Sequence, residues 1–383
     1  MSRVARIPIT NVYADGAYTG LILVGPDMRP MNVLLDSGSS MLALDGRKYR
    51  VDKVGGDRTT HFAQYSSYSD NSFWAGGVIK TTVSVADPDS PMTAKGINVA
   101  LSTDATSDMF GRTDGILGLA YAALDEAWEM PKDTTEKQYS STRVRSGRYT
   151  QITPYLAQLR GKGIISDKFA FYTRRSWIHA NNSSGGGGAN DPLNCGWMIL
   201  GGGEECRDLY TGPFQTARVM AEQWYNTNLK AIIVGDTPPL SVHQQPAQGY
   251  PSNSIVDSGT TSIDLGPLLL KALFAHFTAD QQALLTATIR RKVPSVPMAD
   301  LKLRSWPPLT FILQGPKKDG VLVVKPQDYW QVNAPKPGMA CLAITQGEPG
   351  FAILGLPLMN GYFTIFDGEA DNDRGVVKFA PRT

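Results

Sequence analysis

A mainly β protein built from two related lobes is what this sequence predicts, and three observations lead there. Glycine and proline are abundant, 38 and 25 of 383 residues, and they separate many short runs rich in Val, Ile, Thr and Tyr. Helical periodicity is clear in only two stretches. Two different motifs, one centred on Asp-Ser-Gly and the other on Ile-Leu-Gly, each occur twice and in the same order.

The strand candidates follow one another along the chain: "YTGLILVG", "MNVLLD", "VIKTTVSV", "FAFYT", "WMILGGG", "NLKAIIVGD", "LTFILQG", "GVLVV" and "GYFTIFD". Each is a β-branched or aromatic run closed by turn residues. The first helix candidate is "TPYLAQLRGKG" at 153–163, with Thr153 as expected N-cap and Pro154 in the first turn. The second is "GPLLLKALFAHFT" at 266–278. Between the halves lies "NNSSGGGGANDP", residues 181–192. No Gly-Lys-Ser/Thr follows its four glycines, so it reads as a linker or loop and not as a phosphate cradle. It divides the chain into an N-terminal part, 1–178, and a C-terminal part, 193–383, with 179–192 between them.

The bulk numbers exclude several function classes. Lys and Arg total 37 against 35 for Asp and Glu, so no basic field points to nucleic acid. The densest basic stretch, "EKQYSSTRVRSGRYT" at 136–150, is interleaved with Ser and Thr and is expected to be a solvated loop. No apolar run approaches the length of about 18 residues that a membrane helix needs. The start, "MSRVARIPITNVYADG", has no signal-like apolar core. A cytoplasmic chain and a mature secreted or periplasmic form both fit. Three cysteines, Cys195, Cys206 and Cys341, are too few for a disulfide framework, although Cys195 and Cys206 could pair. His61, His179, His243 and His276 are scattered, with neither CxxC nor HExxH, so neither a metal nor a cofactor is expected.

The repeat carries the chemistry. Leu35-Asp36-Ser37-Gly38-Ser39-Ser40 is followed by Ile116-Leu117-Gly118, and Val256-Asp257-Ser258-Gly259-Thr260-Thr261 by Ile353-Leu354-Gly355. The aspartates lie 221 residues apart and the Ile-Leu-Gly segments 237 apart. An Asp-Ser-Gly tripeptide alone is an ordinary turn. Two copies, each after an apolar run and each with a matching segment downstream, indicate two lobes that bring Asp36 and Asp257 together. Carboxylates that close share a proton, giving one base and one acid side by side, as water attack on an amide requires. Gly38 and Gly259 would let the backbones approach and direct their N–H groups at the carboxylates. The hydroxyls of Ser39 and Thr260 would donate to the outer carboxylate oxygens. Those of Ser37 and Ser258 would cross-link the two loops.

At these residues the chain resembles the pepsin-like aspartic endopeptidases over nearly its whole length, and the bacterial, cysteine-poor members in particular. The supporting segments are "AYTGLILVGPDMRPMNVLLDSGSS", "TDGILGLAY", "MILGGGEECRDLYTGPF" and "AILGLPLMNGYFTIFDGEADNDRGVVKFAP". The resemblance implies a bilobal, mainly β fold with pseudo-twofold related lobes, a central cleft and a hairpin flap. It implies hydrolysis of peptide or unfolded-protein substrates by a water activated between Asp36 and Asp257, without a metal. A monomer with no nucleic-acid or membrane partner is expected. The hydroxyl donors favour ionisation, so greater activity is expected at acidic pH, about 4–5, than at neutral pH.

The departures from the family pattern lie in the flap, where this chain reads "HFAQYSSYSDNSFWAGG". Tyr65 stands in the expected place of the flap tyrosine, Ser66-Ser67 replaces the glycine-rich tip, and Tyr68 is a rival. Strand alternation puts Ala63 and Tyr65 on one face, expected to be the cleft face. The family's usual Leu-Trp after the first motif is Leu42-Ala43 here, which leaves Tyr65 without an indole partner. No family disulfide has matching cysteines, and no inhibitory propeptide is expected before Ile7. Asn181-Asn182-Ser183-Ser184 contains glycosylation sequons, relevant only in a secretory pathway. Two other functions fit this fold: an inactive binding or inhibitor protein, against which the intact motifs argue, and a narrow-specificity processing peptidase, suggested by the altered flap. A structural or carbohydrate-binding β protein would not need two aspartates at matched positions.

Overall fold

The computed structural model of the chain describes residues 3–68, 71–85, 87, 91–132, 134, 138–180, 188–242, 246, 249–291, 294–372 and 374–383. The sequons at 181–184, most of the glycine run and His243 lie outside the described residues. The protein is mainly β, as its punctuation by Gly and Pro implies. One sheet of fifteen described strands runs through the molecule, and smaller sheets of five, four and three strands complete it.

At the middle of the large sheet, Ala5–Ala14 pairs antiparallel with Cys195–Leu200, in register from Ala5 opposite Leu200 to Thr10 opposite Cys195. Lys168–Tyr172 pairs with the other edge of Cys195–Leu200 and with Tyr362–Asp367. Strands from both ends of the sequence therefore share one hydrogen-bonded ladder. Burial follows each strand's place in the stack. Leu309–Leu313 and Gly320–Val324 alternate between buried and more exposed residues, the mark of a sheet with one wet face. Tyr362–Asp367 and Gly115–Gly118 are buried throughout.

The two motif regions are built alike. Arg29–Asp36 pairs in parallel with Gly115–Gly118, with Leu35 opposite Leu117 and Asp36 opposite Gly118. Ser254–Val256 pairs in parallel with Ala352–Leu354, with Val256 opposite Leu354. Each Ile-Leu-Gly strand also pairs antiparallel with the strand that leaves the motif, Leu42–Asp45 in the first case and Ile263–Leu265 in the second. The Ile-Leu-Gly segment thus runs between the strand entering the Asp loop and the strand leaving it. Gly118 donates its N–H to the carbonyl of Met41, and Gly355 donates to that of Ser262, 221 residues further on. A Cβ on Gly118 would lie 2.5 Å from backbone atoms of Ser40 and Met41, and one on Gly355 would press on the carbonyls of Thr260 and Ser262. Only glycine passes beneath these loops. Val33, Leu35, Leu44, Leu117, Val256, Ile263 and Leu354 lie in the core with 4 % exposure or less. Each such side chain contributes about 1.5–3 kcal/mol relative to exposure.

Several expectations need correcting. The first helix runs Tyr155–Gly161 with Pro154 at its N-cap, so Thr153 lies one residue outside. The second runs Pro267–Phe274. A third helix, Ala279–Ile289, escaped the periodicity because only Leu285 and Thr288 on it are buried; Thr278 and Gln281 cap it by exchanging side-chain and backbone hydrogen bonds. The basic stretch is not simply a solvated loop. It contains the short helix Ser141–Arg145 and the strand Arg148–Gln151, which pairs with Glu126–Glu129. Cys195 and Cys206 do not pair; all three cysteines are free. No helix among the described residues is long and apolar enough to cross a membrane.

Candidate active site

Asp36 ends the strand Arg29–Asp36 and Asp257 directly follows Ser254–Val256, so each leaves a buried strand at the mouth of its loop. The residues around them satisfy every expected local contact. Gly38 donates its N–H to Asp36 Oδ1 at 2.8 Å, and the Ser39 hydroxyl donates to Asp36 Oδ2 at 2.5 Å. Gly259 donates its N–H to Asp257 Oδ1 at 2.9 Å, and the Thr260 hydroxyl donates to Asp257 Oδ2 at 2.6 Å. A charged acceptor makes such bonds roughly twice as strong as neutral ones. They are why a carboxylate is tolerated at the end of a core strand.

The two loops interlock through their serines. Ser37 donates its N–H to the Ser258 hydroxyl at 3.0 Å, and Ser258 donates its N–H to the Ser37 hydroxyl at 2.8 Å. The Ser37 hydroxyl donates to the carbonyl of Val256, and the Ser258 hydroxyl to that of Leu35. All four groups are buried and all are paired, which removes the penalty of burying polar atoms and joins the halves at the motifs. The exchange also sets the carboxylates face to face. A Cβ on Gly38 would sit 2.9 Å from Asp257 Oδ2, and one on Gly259 would press on Asp36 Oδ1.

Burial raises the carboxyl of Asp36 well above the usual aspartate range, and the charge of Asp257 raises it further, against the lowering by Ser39 and Gly38. Burial raises Asp257 too, but Thr260, Gly259 and the contact with Asp36 pull it back. The pair therefore favours a state in which the two carboxyls share one proton.

A cavity of about 730 Å³ opens over both carboxylates and is lined from both halves of the chain, by Leu34, Tyr68, Phe110 and Ile116 on one side and by Trp224, Tyr250, Asp264 and Phe351 on the other. The hairpin beside it is formed by Arg58–Ser67 and Phe73–Val85, with Ser67 opposite Phe73. Tyr68, not Tyr65, borders the cavity. The alternation is as expected, with Ala63 and Tyr65 on the face away from Gln64, but that face does not look into the cleft. Tyr65 packs against Phe73 and Trp128, with ring centroids 6.1 and 6.5 Å away, and Arg145 lies 4.6 Å over its ring. Tyr68 falls just beyond the strand, where its N–H donates to the carbonyl of Ser72 and alternation no longer governs direction. The Tyr68 phenol is pushed up to about 12, by burial first and then by the charge of Asp36.

The missing indole is also accounted for. Trp74, 1 % exposed, donates its Nε1–H to the Tyr68 hydroxyl at 3.3 Å and packs in one cluster with Ala43. The rival tyrosine, the "FW" at 73–74 and the Asp inside "TTSIDLG" were visible as residues; that Tyr68 and Asp264 border one cavity, with Trp74 bonded to Tyr68, was not.

Paired aspartate loops interlocked by serines at the ends of core strands define an aspartic-protease architecture. The sequence comparisons agree: the chain matches the eukaryotic aspartyl protease family over residues 17–381 and belongs to that family. Among curated relatives it is 24% identical to gastricsin of Suncus murinus over 368 residues, covering 93% of this chain and 80% of that protein. It is 24% identical to gastricsin of Homo sapiens over 377 residues, with the same coverage, and 22% identical to that of Rattus norvegicus.

Proposed function

We propose that the protein is an aspartic endopeptidase that hydrolyses peptide bonds in peptide or unfolded-protein substrates, with greater activity at acidic than at neutral pH. The observation that supports it most is the pairing of two buried carboxylates, each held by its own glycine N–H and hydroxyl and joined through the reciprocal Ser37–Ser258 exchange. On this reading residues 1–178 and 193–383 form two lobes, and the cavity between the motifs receives the substrate.

In the proposed mechanism Asp257, the ionised member, takes a proton from a water placed between the carboxylates. The water oxygen attacks the peptide carbonyl carbon while Asp36, the protonated member, donates a hydrogen bond and then its proton to the carbonyl oxygen. The resulting tetrahedral diol collapses as Asp257 passes its proton to the amide nitrogen, the C–N bond breaks and a diol hydroxyl gives its proton to Asp36, leaving the pair as it began. No covalent acyl-enzyme forms.

The test is Asp36→Asn and Asp257→Asn, assayed on an unfolded protein across pH. Each should lower kcat by about 10²–10⁴-fold, the range of a lost general acid or base, while circular dichroism stays unchanged. Near-normal turnover by either variant would remove that residue from the mechanism.

A further inference from the structure

The cavity holds a carboxylate that the proposed chemistry does not use. Asp264 stands on Ile263–Leu265, directly opposite Ile353 of Ala352–Leu354. Residues opposed in an antiparallel pair share a face, and both border the cavity. The Ser262 hydroxyl donates to Asp264 Oδ1, and no cation among the described residues offsets its charge. Burial pushes the Asp264 carboxyl up to about 6, with Ser262 pulling it down and the charge of Asp257 adding to the rise. A half-buried carboxylate in a cavity, with a single hydroxyl as partner, is short of a countercharge.

Beside it the cavity has an aromatic wall. Trp224 and Tyr250 stack with centroids 5.8 Å apart, and Tyr250 meets Phe351 at 4.0 Å. Phe351 lies two residues before Ile353, the neighbour of Asp264 across the sheet. The cavity's wider charge has the same sign. The one cation among its described lining residues, Arg112, is near Asp15 at 4.0 Å and bonded to the carbonyl of Val12, whereas Asp108 and Asp264 add to the paired aspartates.

We infer that Asp264 and the wall of Trp224, Tyr250 and Phe351 form a specificity subsite that selects a lysine or arginine side chain of the substrate. Such side chains carry an aliphatic stem and a charged head, so the stem lies along the rings while the head meets the carboxylate. A glutamate at the same place meets an unscreened like charge, and an apolar side chain leaves Asp264 desolvated and unpaired. This subsite rests on the peptidase reading and names the substrate class for it. The preference should weaken as pH falls below about 6 and the carboxyl takes up a proton. The charge that acts on Asp264 is that of Asp257, and Glu348 lies on the turn after Ile344–Gln346, the strand paired with its own.

The experiment, run above about pH 6 where the Asp264 carboxyl is ionised, uses sets of peptides that differ at one position by lysine, norleucine or glutamate, scanned along both sides of the cleaved bond. At one position the wild-type protein should prefer lysine to norleucine in kcat/KM by about tenfold or more, within the range a single well-placed contact gives. The ratio should fall to about one in Asp264→Asn, and Asp264→Arg should prefer glutamate. Absence of a lysine preference at every position, or a preference that survives Asp264→Asn, overturns the subsite. If no peptide is cleaved, it is the peptidase reading that fails, and the subsite is judged by fluorescence anisotropy of the same labelled peptides on the intact protein. Equal affinity for the lysine and norleucine peptides then overturns it, and a lysine preference lost in Asp264→Asn supports it.

Discussion

At the scale of single residues, the hydroxyls beside the two aspartates have separable effects because they act on different members of the pair. Thr260 stabilises the ionised form of Asp257, and Ser39 that of Asp36. Removing either donor raises the pKa of its own carboxyl. In the proposed mechanism activity needs Asp257 ionised, so Thr260→Ala should move the acidic limb of the pH–rate profile upward, by about half to one pH unit. Activity also needs Asp36 protonated, so Ser39→Ala should move the alkaline limb upward and leave the acidic limb nearly in place. Profiles in which both variants shift the same limb would refute this division of roles. The two tyrosines of the hairpin are a second case. Tyr68 borders the cavity and takes a hydrogen bond from Trp74, whereas Tyr65 is wedged among Phe73, Trp128 and Arg145. Tyr68→Ala should reduce kcat/KM by about 10-fold or more, with a modest loss of Tm from the Trp74 Nε1–H left unpaired. Tyr65→Ala should do the reverse, lowering Tm through lost packing with a smaller kinetic effect. The opposite ranking would return the role to Tyr65.

At the scale of elements, the hairpin Arg58–Ser67 and Phe73–Val85 is not a free arm. Glu126–Glu129 pairs with its outer strand, Phe62 opposite Glu129 and Ala63 opposite Trp128, and Arg148–Gln151 extends the sheet. Beneath it, Gln64 donates to Asp125 Oδ1 at 2.5 Å, and both residues are buried. Burial pushes the Asp125 carboxyl up to about 8, more than the Gln64 contact lowers it. Between about pH 4, where an unfolded aspartate titrates, and about pH 8 the folded state therefore holds a proton that the unfolded chain releases. Stability from this group is complete below that window and falls as pH rises through it. Asp125→Asn, which keeps the shape without the ionisation, should raise Tm at pH 7.5 by about 2–4 °C for each kcal/mol recovered and leave it nearly unchanged at pH 4.5. Thermal melts of both proteins at both pH values check this, and an equal effect at the two would discount the buried proton.

At the scale of the whole molecule, the proposed lobes are not separable folding units. Cys195–Leu200 lies between Ala5–Ala14 and Lys168–Tyr172 in the ladder, so residues 1–178 alone would lose the strand that joins two of their own. The exposed edges would be unpaired backbone, prone to aggregation. A fragment of residues 1–178 should therefore fail to fold, and the full chain should unfold in a single thermal transition. Dispersed amide resonances and a cooperative melt from the fragment would show otherwise.

What the sequence determined by itself was local or periodic: the strands, read from β-branched runs between glycines and prolines, and the two motif pairs, read from their repetition. The Asp36 and Asp257 loops were legible because each carboxylate is held by neighbours two and three residues away, Gly38 and Ser39 on one side and Gly259 and Thr260 on the other. Helix Ala279–Ile289 was not, because its stability rests on a capping box and few buried contacts rather than on an apolar stripe. Which hairpin tyrosine borders the cavity, and that Asp264 lies in it, were decided by tertiary structure. Alternation says which residues share a face of a strand but not what covers that face. Here the face bearing Tyr65 is covered by Trp128 and the helix Ser141–Arg145, segments some sixty to eighty residues away in the chain. The turn at Tyr68 then brings a different ring to Trp74 and the cavity, and no spacing within the hairpin encodes that contact.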